Sequence, residues 1–207
     1  MSRRIGSAGF VSVCRKQDEQ AGTVHTTTSN VDQIESLVTD LASDHWQTRQ
    51  AARHSLIRFG SRAVAPLVKA LSDPHWFVRW EAAKALGQVG DPAAAPALVR
   101  ILEDERSGIR WLAAEGLANM GREGLLPLLE ALQHDSDSER LREGAHHVLR
   151  ALVKDDSQGI IAPVLAALED VEPVIQVPPA AQTALRALTD AAKGRINKST
   201  ELRREKL

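Results

Sequence analysis

Apolar residues recur along the chain with the period of an α-helix. In the clearest stretch, they return every three or four positions over residues 78–89 and again over residues 95–102. This spacing places apolar side chains on one face of a helix. Gly90 lies where a helix ending in a left-handed residue is expected, and Asp91 can cap the helix that follows. The pattern therefore predicts two amphipathic helices joined by a tight turn.

This two-helix unit recurs about every thirty residues. Arginines recur at steps of 30, 31 and 32 residues, and glycines and prolines recur at steps of 30 and 31. The three series are Arg49, Arg79, Arg110 and Arg142; Gly60, Gly90 and Gly121; and Pro66, Pro96 and Pro127. Three markers in one register indicate internal repeats. We expect the arginines to bond back to the inter-repeat turns, and the glycines and prolines to shape turns.

Extending the unit in both directions predicts an all-α fold, an α-solenoid (superhelix) of about five helix pairs. The pairs span residues 31–60, 61–90, 91–121, 122–154 and 156–192. Asn30 is expected to cap the first helix, with Gln33 completing a capping box. Three prolines predict a shortened second helix in the last pair, which suits a terminal capping repeat; they are Pro173, Pro178 and Pro179. Residues 1–30 are expected to be a disordered tail, 31–192 the solenoid and 193–207 a charged extension.

Residues 77–92, which read FVRWEAAKALGQVGDP, resemble the short HEAT repeat. More narrowly, they resemble the subclass named after phycobilisome lyases. The resemblance covers about residues 31–190. It implies a right-handed superhelix with the first helix of each pair on the convex side and the second on the concave side. Because such repeats occur in lyases, hydroxylases, adaptor subunits and scaffolds, the resemblance implies a fold more than a function.

Composition and charge narrow the possible functions. Aromatic residues make up only 3% of the chain, which disfavours an all-β fold. Residues 31–192 hold 16 basic and 23 acidic residues, a net charge of −7, and proteins that bind nucleic acids usually present a basic face. No apolar run approaches the roughly 18 residues that span a bilayer, and the apolar stretch after Arg4 is weak for a signal peptide. We therefore expect no nucleic-acid or membrane partner, and a cytoplasmic location.

The second helices carry the candidate binding residues, because repeated positions hold the fold and variable ones are available for function. The partner-binding candidates are Trp80, Trp111, Glu81, Leu112, Lys84, Glu115, His147, His54 and Gln88. Trp80 and Trp111 occupy equivalent positions of adjacent repeats. We expect both rings, with Leu112, to form an exposed patch that anchors a helix or loop of another protein in the concave groove. The alternative is that both rings pack between the repeats.

Two further tryptophans, Trp46 and Trp76, are also 30 residues apart, each at the start of a second helix. A ring at this position can cover the turn below it, and we expect that role. If the rings are instead exposed, all four tryptophans lie along one edge of the groove.

The sequence contains no convincing catalytic constellation. Glu143 and His146 have the Glu-x-x-His spacing of di-iron bundles, but no second copy occurs. His146 falls on a buried alanine position of the repeat, so we expect a core histidine. The single cysteine, Cys14, has no fixed base nearby, and no phosphate loop or dinucleotide motif appears.

We therefore expect a non-catalytic scaffold or adaptor that binds another protein, with no metal and no cofactor. The resemblance leaves one alternative open: a lyase-like or chaperone-like protein that handles a bilin (tetrapyrrole) for a phycobiliprotein-type partner. Aromatic groove walls would suit a flat conjugated ligand.

Overall fold

The computed structural model describes residues 21–156 and 159–204. Within them lie ten α-helices: α1 (Ala21–Asp40), α2 (Trp46–Phe59), α3 (Val64–Ala70), α4 (Trp76–Val89), α5 (Ala95–Ile101), α6 (Ser107–Asn119), α7 (Arg122–His134), α8 (Glu139–Leu152), α9 (Ala162–Leu168) and α10 (Pro173–Arg204). Short 3-10 segments precede α3 and α5 and follow α8. The all-α class and the five helix pairs are confirmed.

The first four pairs stack as two layers. Helices α2, α4, α6 and α8 contact one another in chain order, and we call them the second-helix layer. In the opposite layer α1 packs on α3, and α5 packs on α7. Equivalent leucines of the second helices are fully buried, among them Leu56, Leu86 and Leu117. Each pair thus buries its apolar faces against its neighbours, which is the organisation of a solenoid.

The repeated arginines bond back to turns as predicted, but these turns join the two helices of a pair rather than successive pairs. Arg79 Nη1 donates to the carbonyl oxygen of Asp73 at 3.0 Å. Equivalent bonds, to the residue six positions earlier, are made by Arg49, Arg110 and Arg142. Arg79 Nε also donates to Asp104 Oδ2 of the next repeat at 2.7 Å, and this hydrogen bond raises the pKa of Arg79. Each arginine of the series therefore holds the turn of its own repeat, and Arg79 also links that turn to the turn of the next repeat.

The turn after α4 has the predicted chemistry. Gly90 ends the helix with φ 66° and ψ 18°, a left-handed conformation that other residues rarely adopt. The carboxylate of Asp91 then accepts a hydrogen bond from the Ala93 N–H at 2.9 Å. Hydrogen bonds from Ser61 and from this N–H lower the pKa of Asp91. Positive φ angles also occur at Gly60 and Gly121.

Helix α1 begins earlier than predicted. Asn30 lies inside it rather than at its N-cap, so the predicted capping box with Gln33 is wrong. No proline interrupts residues 21–40, so the helical hydrogen bonds can continue through Asn30. The tail predicted for residues 1–30 thus overlaps α1, and its residues 1–20 lie outside the described residues.

The last helix pair is arranged differently from the others. Helix α9 packs against α8, whereas α10 packs against α7 and α9. The guanidinium of Arg122 in α7 donates to the carbonyl oxygen of Leu188 in α10. Ser136 Oγ, in the turn after α7, donates to the carbonyl oxygen of Val174 at 3.1 Å. The two helices of the last pair have therefore exchanged layers: α9 follows α8 in the second-helix layer, and α10 follows α7 in the opposite layer.

Helix α10 is not shortened by its prolines. It has 32 residues and continues through Pro178 and Pro179, so that prediction is wrong. Both prolines lie in the second turn of α10, beyond the four N–H groups that lack intrahelical partners, so each removes one intrahelical hydrogen bond. Burial of one face against α7 and α9 offsets this loss, and the buried residues are Val177, Ala181, Ala184 and Leu188. The helix also crosses the boundary predicted at residue 193 without a break.

His146 pairs with a carboxylate and is not a core residue. Its Nε2 lies 3.0 Å from Glu169 Oε1, and its side chain is 39% exposed. The prediction of a core histidine is wrong because the seven-residue α9, which follows α8 in the stack, leaves this part of α8 partly uncovered. Glu169 comes directly after α9, so the pair connects the last two stacked helices.

Replacing Glu169 with Gln is expected to remove a pH-dependent contribution to stability. The hydrogen bond with His146, together with the charges of His146 and Arg150, lowers the pKa of Glu169. A carboxylate with a lowered folded-state pKa stabilises the fold above its unfolded pKa of about 4.3, and loses that contribution as pH falls through the lowered value.

Urea unfolding at pH 7 and pH 3 measures this contribution. The wild-type chain should lose more unfolding free energy than Glu169→Gln between the two pH values, by a small amount because the pair is exposed. Equal losses in the two proteins would contradict the prediction.

Candidate functional site

Several predicted binding residues line one groove between α4 and α6, which we call the α4–α6 groove. Its cavity volume is about 310 Å³. Trp80 and Trp111 lie at one end, and Gln88 and Asn119 at the other. Because these residues occupy equivalent positions on the two helices, the groove follows both helix axes.

Two glycines bring the backbones of α4 and α6 into contact at the floor of the groove. A Cβ on Gly116 would lie 3.0 Å from the Cα of Gly87, closer than side chains normally allow. Neither residue was predicted from the sequence, although a mid-helix glycine costs about 1 kcal/mol relative to alanine and so points to a packing reason. Leu112 is only 6% exposed, and its prediction as part of an exposed patch is wrong because the close packing of α6 on α4 buries it.

The two groove tryptophans differ in exposure. Trp111 is 51% exposed, and its ring centroid lies 6.4 Å from that of His147 on α8. Trp80 is half-buried, and its Cζ3 would lie 2.6 Å from a Cβ on Gly108. Gly108 therefore leaves the space into which the Trp80 ring packs, over the start of α6. The prediction of two exposed rings is correct for Trp111, whereas Trp80 follows the alternative of packing between repeats.

Glu81 and His54 do not line the groove. The Glu81 carboxylate accepts a hydrogen bond from the guanidinium of Arg53 in α2, and the two residues are 8% and 6% exposed. The prediction of a solvent-facing Glu81 is wrong because the packing of α2 on α4 covers it. His54 is exposed on α2, where its Nε2 lies 3.3 Å from Arg53 Nη2.

Lys84 and Glu115 bring opposite charges to the middle of the groove. They occupy equivalent positions on α4 and α6, and both are half-buried. Among the residues that the structure describes, neither belongs to a salt bridge. Both charges are therefore available to a bound molecule.

Trp46 and Trp76 lie away from the groove, at the first residues of α2 and α4. Their exposed fractions are 60% and 43%. The guanidinium carbon of Arg106 lies 4.7 Å from the ring centroid of Trp76, a cation–π contact across the repeat boundary. Both rings are exposed, although Trp76 also contacts Arg106 in the turn before α6. Neither ring lines the groove, so four tryptophans do not lie along one groove edge.

Residues 21–156 and 159–204 contain neither a metal-ion cluster nor a membrane-spanning helix. No group of three or more His, Cys, Asp or Glu side chains there is placed to hold a metal ion. Nor does any helix in this part of the chain combine the length and apolar character needed to cross a membrane. Cys14 lies outside the described residues.

Comparison with known proteins agrees with the repeat seen in the structure. The family model described as HEAT repeats matches residues 34–109 and again residues 89–150. The chain belongs to the HEAT-repeat family. Its HEAT repeats therefore include α2, α4, α6 and nearly all of α8, and with them both walls of the α4–α6 groove. No curated protein matches the chain.

Solved structures of similar proteins include the complex of CpcE and CpcF of phycocyanin lyase from Nostoc sp. PCC7120. It is 23% identical, with a TM-score of 0.50, and the match covers 74% of this chain and 98% of that chain. Two engineered proteins are 22% and 21% identical, with TM-scores of 0.37 and 0.36. Those matches cover 81% and 76% of this chain and 84% and 98% of theirs. The likeness to the lyase complex supports the HEAT solenoid fold, and a fold alone does not assign a function.

Proposed function

We propose that this HEAT-repeat protein is a non-catalytic scaffold or adaptor that holds a partner protein at the α4–α6 groove. The observation that carries the proposal is Trp111, about half exposed beside two charges that have no partner in the described chain. Tryptophan is enriched among residues that dominate binding energy, particularly where it can be covered by a partner. The polar rim formed by Lys84, Glu115, Gln88 and Asn119 suits selective recognition.

The surrounding architecture supports this role. The groove is built on packed helices, with the Gly87–Gly116 contact beneath it, so a partner meets a surface that is formed before binding. His147 extends the same surface from α8, because its ring lies beside that of Trp111. A bound segment can therefore contact three successive helices of the second-helix layer.

Replacing Trp111 with Ala is expected to abolish capture of the partner, at a cost of about 2–4 kcal/mol of binding free energy. The experiment is affinity capture from source-cell lysate with the immobilised native chain, quantified by mass spectrometry. Trp46→Ala is the matched control, since Trp46 is 60% exposed but lies outside the groove. Trp80 is unsuitable because its ring also packs over the start of α6.

The expected result is a protein retained by the native chain and by Trp46→Ala but lost with Trp111→Ala. Equal capture by all three chains would place the binding surface elsewhere and contradict the proposal. Visible tetrapyrrole absorbance in the purified chain, with quenched tryptophan fluorescence, would instead favour the bilin-handling alternative.

A further inference from the structure

The dimensions and charges of the α4–α6 groove restrict the part of a partner that it can hold. We infer that the groove binds a short extended peptide segment that places a large apolar side chain against the tryptophans and an adjacent pair of opposite charges against Lys84 and Glu115. The inference rests on the proposed function and deepens it by naming the chemistry of the bound segment.

The length of the groove matches about four residues of extended chain. Eight residues separate Trp80 from Gln88, which at 1.5 Å per residue is about 12 Å along the helix. An extended chain advances about 3.3 Å per residue, so about four residues cover this distance. About four residues of extended chain therefore reach from the tryptophans at one end of the groove to Gln88 and Asn119 at the other.

The floor and the far end of the groove suit a peptide backbone. Gly87 and Gly116 line the floor, and a Cβ on either would meet the backbone of the other helix. Gln88 and Asn119 carry primary amides, which both donate and accept hydrogen bonds and so match the N–H and C=O groups of a peptide. Backbone hydrogen bonds supply affinity in extended-peptide recognition, and side-chain pockets supply the choice of sequence.

The charged residues determine which sequence fits. Glu115 lies four residues beyond Trp111, about 6 Å along the helix, and two residues of extended chain cover about 6.6 Å. A basic residue two positions from the apolar one therefore reaches the level of Glu115. Successive side chains of an extended chain point to opposite sides, so an acidic residue between them is directed toward Lys84. The expected order is apolar, acidic, basic.

Synthetic peptides test this order directly. One peptide has the sequence Gly-Ser-Phe-Glu-Lys-Ser-Gly. A second peptide exchanges the two charged residues and reads Gly-Ser-Phe-Lys-Glu-Ser-Gly. Each peptide is also made with its residue order reversed, because the chain direction in the groove is not specified. Isothermal titration calorimetry measures binding, because its signal does not depend on any tryptophan and so applies equally to the variants. The native chain should bind the first peptide, in one of its two directions, at least tenfold more tightly than its charge-exchanged partner.

The double variant Lys84→Glu/Glu115→Lys keeps the net charge and is expected to reverse this preference. Trp111→Ala is expected to lose binding of all the peptides, and Trp46→Ala to behave like the native chain. Equal affinities for the original and charge-exchanged peptides, or an unchanged preference in the double variant, would overturn the inference. If no peptide binds while lysate capture still depends on Trp111, the inference fails and the proposed scaffold function stands.

Discussion

Replacing Glu81 with Leu is expected to lower the unfolding free energy by about 3–5 kcal/mol. Glu81 and Arg53 form an ion pair between α4 and α2, with side chains 11% and 8% exposed. Removing the carboxylate leaves the buried guanidinium without its counter-charge. The Nε of Arg53 already has no hydrogen-bond partner among the described residues, so little can compensate for the loss.

The double variant Arg53→Ala/Glu81→Leu is expected to recover most of this loss. The residues at the equivalent positions one repeat later are Ala83 and Leu112, both buried at the α4–α6 interface. The double change therefore gives the α2–α4 interface a residue pair that this fold already accommodates. Replacing both members of a buried ion pair with apolar residues is often neutral or stabilising, whereas removing one member is not.

Urea unfolding followed by far-UV circular dichroism measures both variants through the linear dependence of unfolding free energy on denaturant. Glu130→Leu, an exposed change on α7, is the matched control and should alter stability by less than about 0.5 kcal/mol. If Glu81→Leu lowered the unfolding free energy by less than about 1 kcal/mol, the prediction of a buried ion pair would be contradicted. A double variant no more stable than Glu81→Leu would contradict it as well.

Replacing Gly124 with Ala is expected to destabilise the protein by about 3 kcal/mol or more. A Cβ at Gly124 would lie 2.2 Å from the carbonyl oxygen of Leu117 and 3.0 Å from its Cα. These are backbone atoms of α6, so the clash cannot be relieved by a side-chain rotation. The sign of the change in unfolding free energy is diagnostic, because alanine in place of glycine at an open helix position stabilises the fold by up to about 1 kcal/mol.

Thermal unfolding followed by circular dichroism tests this prediction. For a chain of this size, 3 kcal/mol corresponds to a fall in Tm of about 6–12 °C. Glu123→Ala, at the neighbouring exposed position of α7, is the control and should leave the Tm nearly unchanged. An unchanged or raised Tm in Gly124→Ala would show that α6 and α7 are not packed this closely.

Part of the groove could be predicted because two periodicities combine. The helical period identifies the outward face of each second helix, and the repeat period aligns equivalent residues of neighbouring helices. Lys84 and Glu115 were placed together on this basis, and the structure finds them in one groove. The same reasoning failed at Glu81 and Leu112, because it did not include how closely adjacent second helices pack.

The sequence by itself determined the all-α class, the five helix pairs, the arginine bonds to the turns and the Gly90 turn. These features depend on hydrogen bonds and capping within a few residues, so local residue types are sufficient to specify them. The tertiary structure alone decided the Gly87–Gly116 contact, the burial of Glu81 on Arg53 and the exchange of α9 and α10 between layers. Each of these depends on side-chain volumes, or on contacts between residues distant in sequence, and such packing leaves no periodic signal along the chain.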